Sequence, residues 1–159
     1  MTVLIIFDSV FGNTEQVARA MGDALGADVV VLNVADVTPD KLIGVEFLVV
    51  GSPTRGFRPT EGISNFIKNL PANSLKGVKA VAFDTRIPLE SIESKVFRSI
   101  VKMGGFADKP IAEALKKKSA VVLPGEGFFV TGEKGPLVEG ELQRAADWIK
   151  RTDQSRKML

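Results

Sequence analysis

Apolar runs of strand length alternate with stretches of helical period along this chain, and no other feature of the sequence restricts its fold as strongly. Val3 to Phe7 is a continuous β-rich run, as expected of a strand buried on both faces. Val17, Ala18, Met21, Ala24 and Leu25 then fall on one helical stripe that Gly26 stops. Val29 to Leu32 is a second strand, Thr38-Pro39-Asp40 opens a short helical turn, and Phe47 to Val50 is a third strand ending at Gly51. Ile63, Phe66, Ile67 and Leu70 make the next stripe, with Thr60 as its cap and Pro71 as its stop. Val78 to Phe83 is a fourth strand, followed by a stripe of Ile92, Val96, Phe97, Ile100 and Val101 that ends at Gly104-Gly105. Pro110 to Lys118 reads as a further helix. Ser119 to Leu123 with Phe128 to Val130 form a fifth, interrupted strand, and Val138, Leu142, Ala145, Ala146 and Ile149 mark the last helix. Such alternation implies a parallel sheet with helices on both faces, joined by right-handed crossovers. The expected fold class is α/β, a three-layer, doubly wound, five-stranded parallel sheet. It forms a single domain over residues 1–159, with 151–159 as a flexible basic tail.

Composition narrows the chemistry. The chain has no Cys, no His and no Tyr. That excludes disulfides, thiolate nucleophiles, zinc fingers and iron–sulfur clusters, and also a Ser–His–Asp triad or an imidazole base. A stand-alone enzyme would have to act through Asp, Glu, Lys, Ser or Thr, so a bound cofactor is the simpler source of reactivity. Lys and Arg number 21 against 19 Asp and Glu, for a formal charge of +2, too mild a balance to point to nucleic acid. Lys116, Lys117, Lys118 and the cations from Lys150 to Lys157 read as a solvated helix end and a terminus. The chain enters a strand-like run at Thr2, unlike a signal peptide, and no apolar stretch approaches the roughly 20 residues of a membrane span. A cytoplasmic protein is expected.

In a doubly wound sheet, ligands bind beyond the carboxyl ends of the strands. After the first strand, Asp8-Ser9-Val10-Phe11-Gly12-Asn13-Thr14 runs straight into a helix. Such a loop aims unpaired N–H groups and the positive end of the helix dipole at one point, which suits a phosphate. Ser9, Asn13 and Thr14 add side-chain donors. The alternative is that Asn13 or Thr14 merely caps the helix. No GxGxxG or GxxxxGK[ST] pattern is present, which weakens dinucleotide and nucleoside-triphosphate readings. After the third strand, Gly51-Ser52-Pro53-Thr54-Arg55-Gly56-Phe57-Arg58-Pro59 holds an aromatic residue at a loop tip between two Arg. It reads either as a stacking platform or as a rigid connector whose Phe57 folds back on the core. After the fourth strand, Asp84-Thr85-Arg86-Ile87-Pro88-Leu89 supplies either hydrogen bonds to a polar ring edge or a strand-terminating Asp–Arg pair. A phosphate cradle with two loops able to sandwich a planar ring describes a mononucleotide site.

At these residues the chain resembles the flavodoxin family. Ser9 to Thr14 is similar to its flavin-phosphate loop, of the form [ST]-x-[ST]-G-x-T, and Gly51-Ser-Pro-Thr54 with Gly56 resembles the loop after its third strand. Gly127-Phe-Phe-Val130 and Gly135 to Leu142 resemble the end of the domain in some members, so the likeness covers essentially the whole chain. The resemblance implies non-covalent FMN binding and one-electron transfer between redox protein partners, with no catalytic side chain and no metal. It places Ser9, Val10, Phe11, Gly12, Asn13 and Thr14 on the phosphate. It places Pro53, Thr54, Arg55, Gly56 and Phe57 beside the isoalloxazine ring, with the Gly56 peptide changing its hydrogen bond on reduction. Asp84, Thr85 and Arg86 would meet the pyrimidine edge. Phe11 stands where a hydroxyl residue is usual, the loop after the fourth strand lacks the usual aromatic, and Arg86 to Gly105 is longer than its counterpart. The slight basicity also contrasts with the acidity typical of flavodoxins.

Two other readings belong to different classes. One is an FMN-dependent NAD(P)H:quinone-type reductase, although such enzymes are usually longer and tetrameric. The other is a flavin-free interaction module. A phosphorylated receiver domain fits less well, because the third strand ends in Gly51-Ser52 and Pro124-Gly125 follows the fifth. The expected protein is an electron carrier more than a stand-alone enzyme, monomeric or weakly dimeric.

Overall fold

In the computed structural model, which describes residues 2–159, strand β1 (Thr2–Phe7) lies between β2 (Val29–Asn33) and β3 (Val45–Pro53). Strand β4 (Lys79–Arg86) pairs beyond β3, and two short pieces, β5 (Val121–Val122) and β6 (Glu126–Phe129), both pair with β4. Every pairing is parallel, in the order β2-β1-β3-β4-β5. The two short pieces are the interrupted fifth strand of the α/β sheet. Pro124 has no N–H to donate to the ladder, and a Cβ on Gly125 would sit 2.5 Å from the Ala82 carbonyl oxygen.

Alternation along β1 sends side chains to two cores. Val3, Ile5 and Phe7 join Phe47, Val49, Val81 and Phe83 beneath helices α1 (Asn13–Leu25) and α5 (Glu141–Lys157), which contribute Val17, Met21, Ala145, Trp148 and Ile149. Leu4 and Ile6 join Leu48, Val50, Ala80 and Ala82 beneath α2 (Glu61–Lys68) and α4 (Asp108–Lys117), through Ile63, Ile67, Ile111 and Leu115. Each fully buried Val, Leu, Ile or Phe contributes roughly 1.5–3 kcal/mol. Thr60 caps α2 as expected, its hydroxyl accepting from the Ile63 N–H at 3.3 Å.

Two expectations need correction. The stripe from Ile92 to Val101 forms α3 (Lys95–Gly104), but this helix buries none of its residues: Val96 is 73% and Met103 88% exposed. The periodicity was that of an amphipathic helix, yet no layer of the sandwich lies over its apolar face. Nor are residues 151–159 a flexible tail, since α5 runs to Lys157. Trp148, Thr152 and Arg156, spaced by one turn, are all buried, and the Arg156 guanidinium lies 5.2 Å from the centre of the Phe47 ring. The Thr152 hydroxyl donates to the Trp148 carbonyl at 2.9 Å.

Strand order reverses at β1, whose neighbours lead in opposite directions. The crevice beyond the carboxyl ends of β1, β3 and β4 is therefore where a ligand belongs.

Candidate functional site

The loop from Asp8 to Gly12 is organised by Ser9, whose Oγ accepts from the N–H groups of Gly12 (3.1 Å) and Glu15 (3.3 Å). Gly12, at φ 93°, precedes α1 and supplies no side-chain cap. The N–H groups of Val10, Phe11, Asn13 and Thr14 find no acceptor among the described residues. Four free donors at the positive end of a helix are suited to an anion. Neither Asn13 nor Thr14 caps the helix. The Asn13 amide donates to the Lys134 carbonyl at 3.1 Å, tying the loop to the segment before α5, and the Thr14 hydroxyl pairs with that of Thr85 at 2.8 Å.

The second wall is a tight hairpin. Arg55 and Arg58 exchange both backbone hydrogen bonds, at 2.8 and 3.0 Å, around Gly56 (φ 54°) and Phe57 (φ 70°). Positive φ at both central residues is the signature of a type I′ turn. Glycine meets it without strain; Phe57 does not. The Gly56 and Phe57 N–H groups have no acceptor among the described residues. The Phe57 ring packs against Gly104 at the end of α3, where an added Cβ would lie 2.5 Å from it. Buried Ser52 closes the base of the loop by accepting from the Thr60 N–H at 3.0 Å. Thr54 donates its N–H to the Thr85 carbonyl at 3.0 Å and accepts from the Ala107 N–H at 3.0 Å.

At the end of β4, Arg86 forks onto Asp84 through Nε and Nη2, both at 2.7 Å. Nη2 also lies 3.3 Å from Asp108, whose own N–H donates to Asp84 at 3.0 Å. Phe106 packs its ring 3.9 Å from the guanidinium carbon, while a Cβ on Gly127 would come within 2.1 Å of Nε. Burial pushes the Asp84 carboxyl up to about 6, outweighing the hydrogen bonds and charge of Arg86. Burial lowers the Arg86 guanidinium, but the hydrogen bonds and charge of Asp84, with the charges of Asp108 and Glu126, raise it above its ordinary value. No hydrogen bond engages Arg86 Nη1 among the described residues.

These loops enclose a cleft of about 300 Å³. Of the residues expected from sequence, Val10, Phe11, Asn13, Thr14, Pro53, Thr54, Arg55, Gly56, Thr85 and Arg86 line it. Ser9 and Gly12 shape the loop behind them. Asp84 is buried behind Arg86, and Phe57 faces α3. Ile87, Val130 and Glu133 also line the cleft without having been singled out. The signal for the last two was their place just after a strand end, before the turn residues Gly135-Pro136. Positive charge gathers here, since Arg55 and Lys134 stand 5.8 and 6.0 Å from the centre of the exposed Phe11 ring. A larger groove of about 660 Å³, between Pro39 and Phe66, is lined by none of the loops that follow β1, β3 and β4.

A family model described as a flavodoxin domain matches residues 4–119. No curated protein matches the chain. Among solved structures, a flavodoxin from the domain Archaea superposes with a TM-score of 0.74 at 21% identity, covering 99% of each chain. Oxidised flavodoxin 1 of Bacillus cereus gives 0.71 at 18% identity over 97% of this chain and 98% of that one. Two-electron reduced Megasphaera elsdenii flavodoxin gives 0.66 at 20% identity over 94% and 99%. No helix among the described residues is long and apolar enough to cross a membrane.

Proposed function

This chain belongs to the flavodoxin domain family, and we propose that it holds FMN without a covalent bond and carries electrons one at a time between redox proteins. The observation that carries the reading is the convergence of four unengaged N–H groups, at the start of α1, on a cleft flanked by Arg55 and Lys134. Those groups, on Val10, Phe11, Asn13 and Thr14, suit the phosphate. Backbone donors replace the hydroxyl that Phe11 lacks.

Pro53 to Gly56 on one side and Thr85 to Ile87 on the other flank a slot for the ring system. The free N–H groups of Gly56 and Phe57 supply donors at the hairpin tip, and Thr14 with Thr85 forms the polar floor. When bound, FMN supplies the redox chemistry, and the protein supplies binding, orientation and local charge.

The test is a visible absorption spectrum of the purified protein followed by an FMN titration. Yellow protein, or stoichiometric quenching of FMN fluorescence, is expected; colourless protein without quenching overturns the reading. Gly12→Val forces a β-branched residue into positive φ, costing about 1–2 kcal/mol, and puts a side chain into the open space at the cradle. It should abolish FMN binding while the apoprotein still folds.

A further inference from the structure

The Asp84–Arg86 pair is more elaborate than strand termination needs. A chain end on β4 could stop at any polar residue. Here a fully buried carboxylate, a second carboxylate from α4, an aromatic ring and a glycine without Cβ all converge on one guanidinium. Two of the three guanidinium nitrogens are bound by Asp84. The third, Nη1, is left without an acceptor, and Arg86 is the member of the cluster that lines the cleft. Asp84 and Asp108 are not on its wall. Within this cluster, therefore, the cation is the charge near the cleft and the two carboxylates are the far ones, while Glu133 is the one carboxylate among the described residues on the wall itself.

We infer that Arg86, held in place by Asp84, is a fixed positive charge that favours the reduced form of the bound flavin and so raises its reduction potential. The proposal rests on the reading that FMN fills this cleft. A flavin that has taken two electrons from a reductant and one proton from solvent carries one negative charge on its pyrimidine side; the oxidised ring carries none. A cation held beside the ring binds the first form better than the second, and a ligand shifts an equilibrium only by such a difference in affinity. The clamp matters because a fixed charge needs no reorganisation when the electron arrives. Asp84 is accordingly a positioning residue: it touches the guanidinium, and its own charge partly offsets the field of Arg86.

The arrangement predicts opposite shifts from two variants. Arg86→Gln removes the near cation and should lower the potential, with about a tenfold loss in the preference for reduced over oxidised FMN. For the two-electron couple between these forms, that is a fall of about 30 mV. Asp108→Asn leaves the two-oxygen fork of Asp84 intact and removes the other far anion, so the potential should rise. Arg86→Lys restores the charge without the fork and should recover most of the potential lost in Arg86→Gln.

The experiment is a reductive titration, with dithionite and reference dyes, of the full-length FMN-loaded wild type and of each variant. FMN affinity is measured alongside by fluorescence quenching. Shifts of opposite sign, with Arg86→Lys near the wild type, support the proposal. If FMN binds but the two variants shift the same way, or neither shifts, Arg86 is structural and the proposal fails while the FMN reading stands. If the wild type takes up no FMN, both fail.

Discussion

One wall of the cleft is clamped and the other is perched. On the β4 side, Arg86 is pinned by Asp84, Asp108, Phe106 and the bare backbone of Gly127, and Asp84 itself is wholly buried. On the hairpin side, Phe57 sits in a strained left-handed conformation and leans on α3, a helix that buries none of its own residues. Both walls contain a glycine that touches a side chain more closely than a Cβ would permit, Gly127 against Arg86 and Gly104 against Phe57. The contrast between them shows that a close contact constrains a site only when the neighbour has nowhere else to go.

Substituting those two glycines tests the contrast most strongly. Gly127→Ala places its Cβ on the guanidinium and drives Arg86 off Asp84, leaving a buried carboxylate without its cation. Breaking a buried pair in this way costs about 3–5 kcal/mol. Gly104→Ala meets a ring on an exposed hairpin that can turn away into solvent, so its cost should stay near 0.5 kcal/mol, the usual range for surface changes. Urea unfolding of the two apoproteins measures both. Equal losses would mean that the hairpin wall is as rigid as the β4 wall.

The clamped wall should also leave a mark on the pH dependence of stability. The folded protein raises Asp84 to about 6 from an ordinary 3.8, so between those values it holds a proton that the unfolded chain has released. This contribution is complete below about pH 4 and is lost as pH rises through 6, an effect of about 3 kcal/mol at about 1.4 kcal/mol per unit. Glu141, which against the effect of burial is held below its ordinary value by Arg144 and the Phe129 N–H, acts in the opposite sense, so the measurement is a difference. Relative to the wild type, Asp84→Asn should gain stability between pH 4 and pH 7. No residue of the hairpin wall should produce such a difference.

The same contrast explains what could be read in the sequence. The β4 wall follows from local rules: an apolar run fixes the strand, alternation fixes which face each residue occupies, and Asp84 and Arg86, two apart, share one face. The cradle before α1 follows in the same way from a strand, a glycine and a helix start. The direction of Phe57 depends on a left-handed turn and on where α3 lies, and neither is encoded in spacing. The exposure of α3 was hidden because an apolar stripe reports a helix and says nothing about what covers it. Val130 and Glu133 reach the cleft through a long-range tie, the Asn13 hydrogen bond to Lys134, which no local pattern announces. At the end of α5 the run of charge suggests a loose tail, whereas Thr152 and Arg156 continue the buried face of the helix by one-turn spacing.

The smallest expected effect separates backbone from ring at the perched wall. Phe57→Ala and Phe57→Gly both delete the ring and its contact with Gly104, and they differ in whether the residue can adopt φ 70° without strain. Phe57→Gly should therefore be the more stable of the two, by about 1 kcal/mol. Because the ring faces α3, FMN affinity should be nearly the same in both variants and in the wild type. A tenfold weakening common to both would instead mean that the ring reaches the flavin. In that case about 1.4 kcal/mol of binding would come from a residue that must leave α3 to provide it, and the perched wall would be one that moves when the cofactor arrives.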